Sequence, residues 1–316
     1  MPLAARPWLI AVLLVFLSLS PTRAGMTDAE VKAFTQDKAL AEKGDHVAQY
    51  NMGVRYNHGL GVAKDLVQAV SWYRKAAEQG LAQAQFDLGN RYRKGEGVAK
   101  DFVQAVSWWR KAAEQGEALS QNNLGFSYNH GLGVAKDLVQ AVSWYRKAAE
   151  QGEAQSQHNL GFCYSIGEGV AKDLVQAVSW YRKAAEQGNA ESQYNLGNCY
   201  YHGLGVAKDL VQAVSWYRKA AEQGNVHSQY NLGLFLAKGE GVLKDEIEAY
   251  AYWNIAGITD EGARENLAVL EKKMSPDARL LGQQRARQLQ KEIEGRLETL
   301  EDLRKAAEKE SLRKGA

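Results

Sequence analysis

The sequence of 316 residues predicts an all-α fold: a right-handed α-solenoid of antiparallel helix pairs with capping helices at its ends. Three observations carry that expectation. A phrase of 36 residues is written six times, one copy ending N-L-G-F-S-Y-N-H-G-L-G-V-A-K-D-L-V-Q-A-V-S-W-Y-R-K-A-A-E-Q-G at Gly152. A fixed period of this length means a stack of like supersecondary units rather than one central core. Within each copy, recurring residues fall at spacings of three and four, the period of a helix face. Between those stretches lies Gly-x-Gly-Val-x-Lys-Asp, which stops one helix and starts the next.

The elements follow in chain order. Arg6, the apolar run Trp8 to Leu19 and the small residues around Arg23-Ala24 read as a secretory signal peptide, residues 1–24. The run is too short to span a bilayer well. Residues 25–44 hold one helix of an incomplete leading unit. Six units follow at 45–80, 81–116, 117–152, 153–188, 189–224 and 225–260. Numbering the slots of a unit from Leu81 (slot 1) to Gly116 (slot 36), helix A covers slots 2–13, with Ala, Gln, Leu, Gly and Tyr recurring at slots 2, 5, 8, 9 and 12. Helix B covers slots 22–34, started by an Asp N-cap with Gln three places on, as in Asp65 and Gln68. The closing Gly of slot 36 supplies a left-handed C-cap. The Gly of slot 9 and the paired Ala of slots 32 and 33 admit close neighbours, and Trp72, Trp108, Trp144, Trp180 and Trp216 at slot 28 are the expected anchors. After Asp245 the sixth copy departs from the pattern, as terminal units do. Residues 261–316 then give a short helix and a charged one from Pro276, expected to cap the array or to pair with a second chain.

Without Arg6 and Arg23 the chain carries 37 basic and 37 acidic residues. A formal charge of zero gives no electrostatic case for nucleic acid. No apolar run after the leader has the length of a stable membrane span. Cys163 and Cys199 occupy slot 11 of successive copies. An even count in an oxidising compartment favours a bridge. Against it, packed helix axes lie ~8–10 Å apart while a disulfide needs Cα atoms within ~7 Å.

Y-N-L-G at Tyr194 to Gly197, G-x-G-V-x-K-D at Gly203 to Asp209 and A-x-x-W-Y-x-K-A-A-E-Q-G at Ala213 to Gly224 resemble the Sel-one-like repeat family, relatives of the tetratricopeptide repeats. The resemblance spans residues 45–260. It implies a solenoid that serves as an adaptor for protein partners, several bacterial members being exported. A cysteine-rich branch, credited with binding or hydrolysing β-lactams, carries a Cys pair within each repeat. This sequence lacks that pair, so the expectation is a non-enzymatic, exported protein, periplasmic or secreted.

Comparing the copies with one another locates a candidate site. Variation concentrates at slots 3, 6, 10, 13 and 14 of helix A, a sector ~100° wide at 100° per residue and across from slots 5, 8, 9 and 12. In tetratricopeptide-like stacks this helix lines the concave groove, so the resemblance makes that face the inner wall. Its candidate partner-binding residues are Tyr50, Phe86, Asn90, Asn122, Phe126, His158, Phe162, Tyr194, Asn198, Tyr201 and Tyr230. Rings mixed with amides offer contact area at low entropy cost. Slot 7 adds Asn51, Asn123, Asn159, Asn195 and Asn231, with Asp87 in the second copy. That ladder either holds the backbone of an extended peptide or bonds adjacent repeats.

Chemical motifs are weak. His58, His130 and His202 recur two copies apart, too far for a shared zinc ion. Each Gly-x-Gly loop leads into an Asp cap, an acid where phosphate would sit. Ser311 to Lys314 matches Ser-x-x-Lys without its accompanying motifs. No cofactor or metal is expected. The Arg-Lys pairs of slots 30 and 31, such as Arg74-Lys75, read as a solvated outer face. The function expected is a scaffold holding a protein or peptide. The alternatives are a hydrolase of cell-wall peptides or β-lactams, or a self-assembling element joined through its last helix.

Overall fold

The computed structural model describes residues 27–314 and is helical throughout its regular structure. The expected signal peptide lies outside the described residues. The helices are α1 (Asp28–Glu42), α2 (His46–His58), α3 (Leu66–Glu78), α4 (Ala82–Lys94), α5 (Phe102–Glu114), α6 (Ala118–His130), α7 (Leu138–Glu150), α8 (Ala154–Ile166), α9 (Leu174–Glu186), α10 (Ala190–His202), α11 (Leu210–Ala221), α12 (Val226–Lys238), α13 (Glu246–Ala256), α14 (Glu261–Glu271) and α15 (Pro276–Lys314). Even-numbered helices from α2 to α12 are the A helices, and the odd-numbered ones from α3 to α13 are the B helices. Contacts divide the chain within α5 into two compact units, one ending at Trp108 and the other running from Trp109 to Ser311.

Helix ends follow the residues that make them. Asp65, Asp137 and Asp173 each accept bonds from two backbone N–H groups of the first turn, as in the 2.9 and 3.0 Å bonds from Val67 and Gln68 to Asp65. The reciprocal capping box forms at α1, between Thr27 and Glu30; at the Asp caps the backbone bonds alone hold the turn. Helix B ends as the closing glycine requires: at α3, Gly80 donates to the Ala77 carbonyl and Leu81 to that of Ala76. This is a Schellman closure around a residue at φ +92°, a value that glycine adopts without strain.

Within a pair, slot 8 fills the interior and slot 9 sets the distance. Met52 and Leu88 in the first unit, and Leu124, Leu160, Leu196 and Leu232 in the second, are wholly buried. Beside them the slot 9 glycine lies under the ring of slot 29. A Cβ on Gly53 would stand 2.5 Å from the Tyr73 ring, and one on Gly125 would stand 2.5 Å from Tyr145. These rings, which the sequence pattern did not single out, are the deepest anchors of the pair: Tyr73, Trp109, Tyr145, Tyr181 and Tyr217 are all buried. Of the expected slot 28 anchors, Trp108, Trp144 and Trp216 are buried, while Trp72 and Trp180 are half-buried. Indoles of slot 28 also carry a lysine ammonium over their faces, Lys75 at 3.9 Å from Trp72 and Lys219 at 4.0 Å from Trp216.

Successive pairs are joined by polar bonds that hydropathy does not suggest. The slot 5 glutamine is buried and donates to the carbonyl of slot 33 in the preceding helix B: Gln85 to Ala77 in the first unit, and Gln121 to Ala113, Gln157 to Ala149, Gln193 to Ala185 and Gln229 to Ala221 in the second, at 3.0–3.1 Å. Its carbonyl accepts in turn from the slot 35 glutamine, as from Gln187 to Gln157 at 2.8 Å. Arginines of slot 30, expected on the outer face, reach instead to the slot 12 tyrosine of the next pair. Arg74 bonds Tyr92 and Arg110 bonds Tyr128 at 2.7 Å, while Arg146 bonds Tyr164 and Arg182 bonds Tyr200 at 2.9 Å.

The ends reuse this joint. Gln49 donates to the Ala41 carbonyl of α1, so α1 stands to α2 as a B helix stands to the next A helix. At the other end α15 packs on its own chain. Its Ala286, Leu289 and Ile293 are buried with Tyr250, Tyr252, Trp253 and Leu270. Arg285 holds Glu248 through two bonds of 2.7 and 3.0 Å, and Arg296 holds Glu222 at 2.6 Å.

Cys163 and Cys199 are free and buried, and burial pushes both thiols up to about 11. Two outcomes follow for the folded protein. A disulfide reagent at pH 8, well below that value, should modify neither thiol until denaturant is added, after which two equivalents react. Gly125→Ala should shift the denaturation midpoint down, because overpacking costs about 1–3 kcal/mol against about 1 kcal/mol regained in helix propensity. Gly295→Ala, where nothing lies within 4 Å of the added carbon, should leave the midpoint unchanged or raise it.

Candidate functional site

Exposure on the A helices sorts by slot. Slots 5, 8 and 9 are buried, while slots 3 and 14 are exposed in every copy. The variable slots 6, 10 and 13 are for the most part half-buried, with Val54 buried and Arg93, Phe126 and Phe162 exposed, and their residues divide into two sets with different surroundings.

Slot 6 is half-buried and spans the joint between neighbouring A helices. In the first unit Tyr50 donates to Asp87 at 3.0 Å and tilts against Tyr73 with ring centres 5.6 Å apart. Burial, with the Asp87 charge behind it, raises the Tyr50 hydroxyl far above its ordinary value. In the second unit Asn122 accepts from Ser156 at 2.9 Å and from Asn159 at 3.1 Å. His158 pairs with Ser192 at 2.9 Å and tilts against Tyr181. Burial lowers its pKa, with Glu191 pulling the other way. Tyr194 lies between Tyr217 and His227, with ring centres 6.1 and 5.7 Å away. Phe86 is half-buried in the first unit. Tyr230 closes the series: its carbonyl accepts from the Trp253 indole at 3.0 Å, and its ring borders Gly262 of α14.

The slot 7 asparagines are half-buried beside this joint. Asn159 is bonded across it, donating to Asn122 while accepting from Gln155 at 3.2 Å. Asn123 offers its backbone carbonyl to Ser127 at 2.8 Å. Asn231 lines a hollow together with Tyr217. Asn51 and Asn195 keep the same half-buried position. The ladder's side chain at Asn159 thus joins neighbouring repeats.

Slot 10 carries two exposed rings. In the second unit Phe126 is 46% exposed and Phe162 47%, large values for phenylalanine in a chain whose other core rings are enclosed. Phe126 stacks on His130 with ring centres 4.1 Å apart. Ile166, one turn beyond Phe162, is 44% exposed. In the first unit Val54 at this slot is buried and Asn90 half-buried.

Further along the second unit the row sinks into a hollow between α10 and α12. The pocket holds about 270 Å³ and is walled by Tyr194, Tyr201, Tyr217 and Phe235, with Asn198, Asn231 and Leu234 beside them and His202, Lys238 and Glu240 completing the lining. Tyr217 donates to Asn198 at 2.6 Å, Tyr201 stands edge-on to Phe235 at 5.4 Å, and Tyr217 stacks on Phe235 at 5.8 Å. Four of the sequence-derived candidates meet here: Tyr194, Asn198, Tyr201 and Asn231. Sequence reasoning missed Phe235, which replaces Ser127, Cys163 and Cys199 at slot 11, and Tyr217, which it had no reason to separate from its buried equivalents. Among the described residues no group of three or more His, Cys, Asp or Glu is arranged to hold a metal ion. No described helix is long and apolar enough to cross a membrane.

Comparison with known proteins agrees with this architecture. The family model described as Sel1 repeat matches six times, at residues 46–81, 82–117, 118–153, 154–189, 190–225 and 226–257. Comparison with curated proteins finds no match. Among solved structures, a Sel1 repeat protein from Oxalobacter formigenes is 37% identical, with a TM-score of 0.65 over 72% of this chain and 91% of its own. A protective antigen of uropathogenic Escherichia coli strains, displaying an SLR fold, is 31% identical, with a TM-score of 0.38 over 84% of this chain and 72% of its own. Helicobacter pylori cysteine rich protein B is 29% identical, with a TM-score of 0.34 over 41% of this chain and 92% of its own. Six consecutive matches across most of its length make this chain a member of the Sel1 repeat family, built of tandem helix pairs.

Proposed function

We propose that this protein is an exported, non-enzymatic scaffold that binds a protein or peptide partner on the face lined by its A helices. Sel1 repeats generally serve protein–protein interaction and are generally not enzymes. The observation that carries the reading is the pair Phe126 and Phe162. Two adjacent phenylalanines, each nearly half exposed, occupy one slot of successive A helices. They lie in a row that the other copies fill with Val, Asn or Leu. Rings held outward by a rigid framework, with amides and tyrosines alongside, are the composition of a binding surface rather than of a drifting solvated one.

Export rests on the amino-terminal segment. Arg6, the apolar run and Ala24 have the order of a cleaved leader, and the charge balance of the remainder gives no electrostatic case for a nucleic-acid partner. The last helix uses Ala286, Leu289 and Ile293 within its own chain, so self-association through α15 would rely on its remaining faces.

Two measurements check the reading. Protein recovered from outside the cytoplasm should begin at Gly25 when its amino terminus is sequenced; an intact Met1 start would remove the export claim. Immobilised wild-type protein should capture a partner from an envelope or host extract, and the triple variant F126A/F162A/Y194A should retain its helical circular dichroism while capture falls at least tenfold. Undiminished capture by the folded variant would overturn the site.

A further inference from the structure

The pocket between α10 and α12 opens beside a small side chain at slot 10. Asn198 stands where the two preceding copies carry Phe126 and Phe162, and the smaller residue leaves open the space bounded by Tyr194, Tyr201 and Phe235. At about 270 Å³ the hollow is smaller than the ~300–1,000 Å³ pockets that enclose whole small-molecule ligands. It is the right size for a single side chain.

Its chemistry narrows the choice further. The walls are aromatic, and the rim carries Lys238 and Glu240, whose charges offset, together with the imidazole of His202. The polar wall is set by proton counting. Tyr217 has one hydroxyl proton, and it goes to Oδ1 of Asn198. Asn198 is thereby oriented and keeps its NH₂ to donate. The Asn231 amide lines the same hollow and brings a carbonyl oxygen able to accept. A ligand group filling the hollow meets aromatic faces together with a donor and an acceptor. A phenylalanine would leave both unanswered, a lysine or arginine could answer only the acceptor, and a carboxylate or phosphate only donors. A phenol answers both.

Resting on the scaffold reading above, we propose that this pocket receives a tyrosine side chain of the bound partner, its ring among Tyr194, Tyr201 and Phe235 and its hydroxyl accepting from Asn198 and donating to Asn231. Phe126 and Phe162 then supply apolar contact along the same row, while the pocket supplies selectivity. A site built to bond a hydroxyl discriminates strongly against the analogue that lacks it.

Saturation-transfer NMR on the chain from Gly25 onward tests this with two defined probes, N-acetyl-tyrosinamide and N-acetyl-phenylalaninamide. The expected result is transfer to the tyrosine ring protons at least fivefold stronger than to those of phenylalanine. Asn198→Phe, a residue that two other copies accommodate at this slot, should abolish the transfer with the circular dichroism unchanged. Asn231→Leu, read in parallel, should erase the preference for tyrosine without filling the hollow. Absence of transfer from the wild-type chain, equal transfer to both probes, or transfer that persists in both variants would each overturn the assignment. Such a failure leaves the scaffold reading standing if partner capture still depends on Phe126 and Phe162. Intact tyrosine binding beside capture indifferent to those rings would instead remove that reading and keep the pocket.

Discussion

A buried glutamine amide governs how one helix pair meets the next. At slot 5 the side chain is enclosed, so its NH₂ and carbonyl must both find partners or cost the full penalty of desolvation. They do so in one arrangement: the NH₂ on the slot 33 carbonyl of the preceding B helix, the carbonyl on the slot 35 glutamine of its own pair. Sliding the A helix along its neighbour by one residue would orphan both groups. Hydrophobic contact alone tolerates such slips, because small residues such as the slot 32 and 33 alanines present nearly uniform surfaces. The amide turns an adhesive contact into one with a defined register. The arginine of slot 30, reaching the tyrosine of the next pair, fixes the other end of the same joint.

Much of this was legible because six copies of one phrase act as six readings of one experiment. The Asp caps, the closing glycines and the slot 8 leucines stand where period and turn chemistry put them. Three features were not legible. Spacing puts Gln of slot 5 on the packing face without naming its partners, and Arg of slot 30 is a residue type that hydropathy assigns to water; yet Gln recurs in all six copies and Arg in five, with Asn254 in the sixth. Their sameness was the signal, and it outweighs polarity when copies share one chain. The third was the choice between neighbouring rings at slots 28 and 29. The slot 9 glycine lies beneath slot 29, so Tyr145 is the deeper ring, beside a Trp144 that is buried too and carries Lys147 over its face.

The variable face shows the opposite limit. Variation across copies located it, but variation does not distinguish a residue that meets a partner from one that adapts to its neighbour. Asn122, His158 and Tyr194 differ because each must match what faces it across the joint: a serine and an asparagine, a serine, a histidine. Phe126 and Phe162 face no such constraint. That division depends on which side of the helix axis the adjacent unit lies, a matter of tilt that a linear period does not encode. The hollow beside Asn198 is likewise a property of several helices at once, arising where a short side chain in one copy coincides with Phe235 in the next.

The joint between pairs also has a genetic reading. Since Gln121, Gln157 and Gln193 make the same bonds to Ala113, Ala149 and Ala185, a gene that loses or duplicates one unit by unequal crossing-over rejoins surfaces that already fit. The contact of Glu248 with α15 travels with the final unit, and the Glu222 contact uses slot 34, where every one of the five preceding copies carries Glu. Length can then drift in whole steps of 36 codons while the terminal seal persists. A lineage bearing this gene is free to lengthen or shorten its recognition surface without first inventing a new way to fold.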